Sequence, residues 1–521
     1  MDRFHIRVNF ISLYQTNKFP MNSENFIQTI KDGYAFKGDF ITIGGGMLGG
    51  QPLPDLPVNI SLKTLNRHGL IAGATGTGKT KTIQVLSEQL SAKGIPVLMM
   101  DIKGDFSGIA ETGTKTPFIE ERHTKMNLPY EPKAFPVELL TISKQNGVRL
   151  RATISEFGPV LLSRILDLND TQSGVMSLIF KYCDDHQLPL LDLKDLKKVI
   201  QFITNEGKED IEREYGRVST ASTGSILRKL IELEQQDADL FFGETSFEIR
   251  DLMRMDENGN GYVNILRLND IQDKPKLFST FMLCLLAEIY NPMPEQGDSG
   301  QPELVIFIDE AHLIFKEASK ALLDQIETIV KLIRSKGIGL YFITQNPTDI
   351  PDGVLAQLGL KIQHALRAFT DKDRKAIKLA AENFPSTEFY KTNEIITQLG
   401  TGEALVTALN EKGIPTPLAV CMMRAPMSRM DILTADEITA LIQKSSLASK
   451  YNTIVDRESA YEILNRKLSE VQDISEDKPA KPTARAEKKE ENVFTKQIVK
   501  VLTSATFIRG AFGVLNKMFK K

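Results

Sequence analysis

One segment constrains this chain more than any other. Gly73-Ala74-Thr75-Gly76-Thr77-Gly78-Lys79-Thr80 spells the phosphate-binding pattern G-x-x-x-x-G-K-[ST]. Such a loop needs a strand before it and a helix after it. Apolar Gly69 to Ala72 supplies the strand, and the amphipathic stretch Lys79 to Ala92 supplies the helix. Glycines let backbone N–H groups turn inward around phosphates, and the helix N-terminus adds partial positive charge. The expected nucleotide-binding set is therefore Gly73, Ala74, Thr75, Gly76, Thr77, Gly78, Lys79, Thr80 and Lys81. In it Lys79 reaches the β/γ oxygens of ATP, and Thr80 offers a hydroxyl to Mg2+. The apolar run Val97 to Met100 then completes a βαβ unit, which predicts a parallel sheet.

Hydrolysis requires acids near the metal and the attacking water. Leu304 to Ile308 reads as a buried parallel strand, and it ends in Asp309-Glu310 at the sheet edge where ligands bind. Asp309 is expected in the Mg2+ shell, with Glu310 as the group that polarises water. A second apolar strand, Gly339 to Thr344, ends in Gln345, an amide suited to sensing the γ-phosphate. Arg334 precedes that strand and reads either as a finger for a neighbouring subunit's nucleotide or as a solvated helix-end cation.

Composition narrows the alternatives. The 521 residues carry 64 Lys plus Arg against 67 Asp plus Glu, a formal net charge of -3, so any nucleic-acid contact has to be a local patch. Cys183, Cys284 and Cys421 are far apart and form no CxxC pair, which argues against a disulfide scaffold or zinc ribbon. No run reaches the roughly 18 apolar residues of a membrane span, and the first ten residues lack a signal-peptide core. The expectation is a cytoplasmic protein without integral membrane association.

The domain reading is as follows. Residues 1–60 form an N-terminal segment, with 1–20 a candidate upstream extension and the Gly/Pro-rich 38–60 read as turns joining short strands. Residues 61–110 are the P-loop half of an ATPase core, 111–255 a largely helical insertion, and 256–425 the half carrying Asp309-Glu310. A helical region covers 426–476, a charged linker 477–492, and a basic amphipathic helix 493–521. The fold class is α/β, a P-loop core with helices on both faces of a mainly parallel sheet, plus a helical insertion and tail.

Two strings imitate other chemistry. Asp309-Glu310-Ala311-His312 spells a DEAH box, but no SAT motif and no Q-x-x-G-R-x-G-R run follow. Asp256-x-Asn258-x-Asn260-Gly261 resembles a calcium loop, yet Arg267 stands at its twelfth position, so it reads as a polar turn before a strand.

With these residues in view, the chain resembles the bacterial YjgR-like proteins, a group of HerA-like ATPases in the HerA/FtsK division of RecA-like NTPases. The likeness covers about residues 38 to 425. It rests on Asn66 to Ala72 running into the P-loop, Asp101-Ile102-Lys103-Gly104-Asp105-Phe106, Ser219 to Ser222 through Phe241 to Glu244, Asp309 to Leu313, and Leu332 to Gly337 through Thr344 to Pro347. The resemblance implies a homo-hexameric ring with ATP and Mg2+ between subunits, Arg334 as a trans finger and Gln345 as sensor. It also implies duplex DNA as the moved substrate, and a nuclease or other protein partner. Asn346 stands where many such proteins have Arg. Three functional classes remain open: a DNA translocase or helicase-type motor, an ATPase acting on a protein, and a nucleotide-gated scaffold. For the motor, Lys361, His364, Arg367, Lys372, Arg374, Lys375 and Lys378 are candidate phosphate grips.

Overall fold

The computed structural model describes residues 23–476 apart from 291–292, 298, 317–319 and 456. The candidate extension 1–20, the linker 477–492 and the basic helix 493–521 lie outside the described residues. The strands, in chain order, are β1 (Phe40–Leu48), β2 (Gln51–Ser61), β3 (Gly69–Ala72), β4 (Val97–Asp101), β5 (Val137–Thr141), β6 (Val148–Arg149), β7 (Val263–Arg267), β8 (Leu304–Ile308), β9 (Ile338–Thr344), β10 (Leu360–Gln363), β11 (Glu403–Thr407) and β12 (Ala419–Met423). They build one sheet in the order β2-β1-β12-β11-β10-β3-β9-β8-β4-β7-β5-β6. From β10 to β6 every pairing is parallel. From β10 to β2 every pairing is antiparallel.

Alternate residues of each strand point to opposite faces, and both faces are covered. Val97, Met99, Val305 and Phe307 pack with Ile83, Leu86 and Leu90 of the P-loop helix Lys79–Ala92 and with Phe26 and Ile30 of the helix Ser23–Gly33. Leu98, Met100, Ile306 and Ile308 face the other layer, which contains Leu277, Phe281 and Leu285 of the helix Pro275–Tyr290 and Leu196 and Val199 of the helix Leu193–Thr204. The fold is the expected RecA-like α/β core.

The Gly/Pro stretch, read as turns joining short strands, holds strands that are long instead of short. Residues 40–48 and 51–61 form a long hairpin, and β1 pairs with β12 as part of the sheet. The glycines serve close packing: a Cβ at Gly44 would lie 2.1 Å from the Met422 carbonyl oxygen, and one at Gly46 would lie 2.8 Å from Leu56 Cδ2. Pro52, Pro54 and Pro57 lie in β2, an edge strand, where missing N–H donors are tolerated. Within 111–255, helices do dominate, yet β5 and β6 belong to the main sheet beyond β7. The short β6 carries too little alternation to announce itself. Asp256 closes a turn: its Oδ1 accepts from the Asn258 and Asn260 amides at 2.9 and 2.8 Å, just before β7.

The region after β12 wraps back onto the core. Helices Ala435–Lys444, Ser446–Tyr451 and Ala460–Glu476 follow one another. The last is pinned to the helical layer where the Tyr461 amide donates to Asp195 at 2.9 Å and the Ala460 amide to the Pro189 carbonyl at 2.9 Å.

The close approach at Gly44 makes a direct stability prediction. Gly44→Val forces β1 away from β12 and is expected to cost about 2 kcal/mol or more. Gly174→Ala, inside a helix with open space at the Cβ position, is expected to be neutral or stabilising by roughly 0.5–1 kcal/mol. Thermal unfolding of the two variants beside the parent measures both.

Candidate nucleotide site

Because β3, β9, β8, β4 and β10 run parallel side by side, their C-terminal ends form one edge, and the candidate residues gather there. The loop after β3 turns through Gly73, Gly76 and Gly78 at φ of 153°, 76° and 112°, values that suit glycine. Space confirms two of these choices: a Cβ at Gly73 would lie 2.5 Å from His364 Cβ, and one at Gly78 would lie 3.0 Å from the Gly402 nitrogen. Backbone bonds fasten the loop to its surroundings. Gly73 N donates to Thr344 O at 3.3 Å, Ala74 N to Ala365 O at 2.8 Å and Gly402 N to Thr77 O at 2.9 Å. Thr75 and Gly76 are exposed at the crest.

Lys79 opens the helix and is only 7% exposed. Its Nζ donates to the Gly73 and Ala74 carbonyls at 2.6 and 3.1 Å, inside the curve of the loop. Burial pulls its pKa down, Lys103 adds to that, and Glu310 and Asp309 oppose it. Thr80, half-buried, follows in the first turn. The Lys81 side chain turns away and donates to the Met430 carbonyl.

Asp309 and Glu310 leave β8 at this same edge, each 6% exposed. Burial, with the neighbouring Glu310 adding, pushes the Asp309 carboxyl up to about 6 against the pull of Lys103. The Asp309 carboxylate and the Thr80 hydroxyl are oxygen donors, the kind Mg2+ takes. Glu310 sits at φ 46°, a left-handed conformation that costs a non-glycine residue about 1–3 kcal/mol. Its Oε1 is ion-paired with Lys103. Its Oε2 lies 3.2 Å from His312 Nδ1, but the alignment is not that of a hydrogen bond, and this buried oxygen makes none within the protein. A carboxylate with one oxygen left over is equipped to receive a water.

Lys103 was not singled out by the sequence, although it lies in the Asp101 to Phe106 segment that carries the resemblance. It sits two residues past the end of β4, and strand-end position was the available signal. The turn that presents it is tied to Asp101, whose carboxylate accepts from the Gly104, Asp105 and Phe106 amides at 2.7, 3.0 and 3.3 Å. Desolvation works against the Lys103 charge, yet Glu310 and Asp309 hold its pKa above the ordinary value.

Gln345 is exposed directly after β9, whose Thr344 carbonyl holds the P-loop, so it shares the edge. Arg334 does not. It lies in the turn Arg334–Lys336 before β9, and seven strand residues separate the two ends by about 20 Å. There it lines a concavity with Arg67, Lys331 and Lys361. Two of the candidate phosphate grips are placed elsewhere as well. The Lys361 amine donates to the Asn383 carbonyl at 3.1 Å, while His364 is fully buried beneath the P-loop. His364 Nδ1 faces the Glu403 carbonyl at 2.9 Å and Nε2 faces Thr82 Oγ1 at 3.0 Å. Asn346 caps the turn Pro347–Asp349, its side chain accepting from the Thr348 amide.

The fold and this edge define a RecA-like P-loop nucleoside-triphosphatase core. Residues 47–511 match the family described as Helicase HerA-like C-terminal, and the chain belongs to that family. A DNA double-strand break repair helicase HerA of Sulfurisphaera tokodaii is 24% identical over 365 residues, covering 68% of this chain and 64% of its own length. One of the same description from Sulfolobus acidocaldarius is 22% identical over 385 residues, covering 72% and 69%. This chain thus spans about two thirds of their lengths. Among solved structures, the bacterial conjugative coupling protein TrwBdeltaN70, unbound monoclinic form, superposes with a TM-score of 0.51 at 14% identity, covering 78% of this chain and 94% of that one.

Two buried imidazoles make a pH prediction. His68 Nε2 faces the Val330 carbonyl at 2.8 Å, and its Nδ1 accepts from the Leu340 amide at 3.0 Å. Burial lowers both His68 and His364 to about 4. A folded-state pKa below the unfolded value means that stability is present at neutral pH and is lost as pH falls through about 6.5 toward 4, with a limiting slope of about 1.4 kcal/mol per unit per histidine. In histidine-labelled protein, both ring signals are expected to stay at neutral shifts from pH 7 to pH 5. Titration of His68 within that range would show that its amide bond from Leu340 does not hold.

Proposed function

We propose that the chain is an ATP-hydrolysing motor of the HerA type that acts on DNA inside the cell, its active sites completed between subunits of a homo-oligomeric ring. The observation that carries the hydrolytic part is that buried Lys79 and Glu310 lie within electrostatic reach at one strand edge, the Glu310 Oε2 accepting no hydrogen bond among the described residues. The P-loop amides and Lys79 bind the phosphates of ATP and orient the γ-phosphorus. Thr80 and Asp309 would hold Mg2+, which would supply positive charge to offset that of the phosphates. Glu310 orients a water and takes its proton as the water oxygen bonds to γ-phosphorus and the bond to the ADP oxygen breaks. Gln345 is placed to bond the departing phosphate or the water. Lys103 competes for Glu310, so transfer of its ammonium to the phosphate leaves the carboxylate freer to act as base.

Distance supports a trans role for Arg334, because its end of β9 lies about 20 Å from the P-loop edge of its own subunit. DNA as the substrate is supported by the family and by the names its relatives carry. An exposed cluster just past β10 adds local chemistry. Phe369, 87% exposed, stands beside Arg367, Lys372, Lys375 and Lys378, an aromatic among cations in a protein of near-zero net charge.

The test is steady-state ATP hydrolysis on size-verified protein with and without duplex DNA at two salt concentrations. Stimulation that fades with salt is expected, and robust hydrolysis indifferent to DNA would move the substrate to a protein partner. Lys79→Ala is expected to weaken nucleotide binding, and Glu310→Gln to retain bound ATP while turnover falls by about a thousandfold. Unchanged turnover in both removes the site assignment. Arg334→Ala is expected to bind ATP normally and to lose about a thousandfold in rate. Mixing it with Glu310→Gln restores activity if the finger acts in trans, and no rescue refutes that placement.

A further inference from the structure

The chain leaving β12 crosses the P-loop helix as a strap, and its partners mark its direction. Met427 N and Ser428 N donate to the Glu88 carboxylate at 2.7 and 3.0 Å. Gln84 Nε2 donates to Ser428 Oγ at 2.8 Å and to the Arg429 carbonyl at 3.0 Å. Lys81 Nζ donates to the Met430 carbonyl. As the strap advances from 427 to 430, its contacts walk back along the helix from Glu88 through Gln84 to Lys81, about 10 Å toward the helix N-terminus. The next residues settle on the loop after β4, where Leu433 N donates to Ser107 Oγ at 2.9 Å and Gly108 leaves room for the Asp431 and Arg429 carbonyls. The tip of the strap, Met430-Asp431-Ile432, therefore stands beside the first turn of the P-loop helix, between that turn and the loop after β4. Met430 is 39% exposed and Ile432 is 52% exposed, two apolar side chains at the tip of the strap.

A nucleotide bound by this P-loop has a defined course. Its γ-phosphate end faces Lys79 and Glu310, its α-phosphate lies at the amides of the first helical turn, and the sugar and base leave past Thr80 and Lys81. That exit leads to the tip of the strap. We propose that Met430 and Ile432 form the platform on which the base of the bound nucleotide rests, a flat heteroaromatic ring against an adaptable thioether and a branched aliphatic chain. Glu88, Gln84 and Lys81 hold the platform in place before the ligand arrives, which keeps the ordering cost of binding low. The proposal rests on the nucleotide-site reading above and adds to it the part of the ligand that the P-loop does not touch.

Calorimetric titration of the full chain with Mg·ATP and, separately, with Mg·tripolyphosphate tests it, because the second probe has the phosphates and no base. The parent is expected to bind ATP about tenfold more tightly than tripolyphosphate. The double variant Met430→Ser/Ile432→Ser is expected to lose about that factor for ATP, to keep its tripolyphosphate affinity, and to unfold at the parent's temperature, both side chains being exposed. Met430→Leu alone, which keeps an apolar surface, is expected to bind ATP as the parent does. Equal affinity of the parent for the two probes overturns the platform. So does an unchanged ATP affinity in the double variant, or a parallel loss for both probes. A parent that binds neither probe instead sinks the nucleotide site itself, and the platform with it.

Discussion

The rest of the structure depends on one buried positive charge. An ammonium that is only 7% exposed cannot stay protonated unless its surroundings replace water. The Gly73 and Ala74 carbonyls do so at hydrogen-bond distance, and the carboxylates of Asp309 and Glu310 do so through space. Those carboxylates are buried too, and burial pushes the Asp309 carboxyl up to about 6. Lys79, Lys103, Asp309 and Glu310 thus form two cations and two acids that make one another's burial tolerable. A phosphate chain entering this site meets cations already desolvated and oriented, which is the condition under which electrostatic binding is strongest.

Holding that cluster requires a rigid edge, and the parallel block supplies it. The P-loop is tied by backbone bonds to the end of β9 and to the residues just past β10 and before β11. Beneath it, neutral His364 joins the helix at Thr82 to the Glu403 carbonyl at the start of β11. The glycine at 73 is required twice over, by its φ and by the His364 side chain packed against it. The antiparallel strands β11, β12, β1 and β2 are therefore not an appendage. They brace the loop from the side opposite β8.

The parts legible in the sequence were those whose local pattern is also their structural role. The P-loop, the helix Lys79–Ala92, the strand ending in Asp309-Glu310 and the position of Gln345 could be read because strand, turn and helix signals coincide there with the chemistry. The length of the hairpin β1–β2 was missed, and short strands joined by turns were read instead, because Gly44 to Gly46 and the prolines are turn residues by composition. Only the approach of Met422 and Leu56 explains them, and those partners are distant or unspecified in sequence. The strands β5 and β6 were hidden for a related reason, since two residues of β6 cannot show a period. Lys103 was passed over and His364 was read as a phosphate grip for the opposite reason. A lysine and a histidine look solvent-facing in composition, yet one contacts Glu310 and the other is sealed under the loop.

The two edges of the sheet also carry different chemistry. Along the edge of the P-loop, acids and cations are mixed and largely paired. At the far edge Arg67, Lys331, Arg334 and Lys361 line one concavity, and no acidic residue joins them in that lining. Both edges belong to the same strands, so β9 carries Gln345 at one end and leads from Arg334 at the other. A single subunit cannot bring those ends together, because the strand is as long as the separation. In the proposed ring, the far edge of one subunit would face the mixed edge of the next, and β9 would set the spacing between two sites.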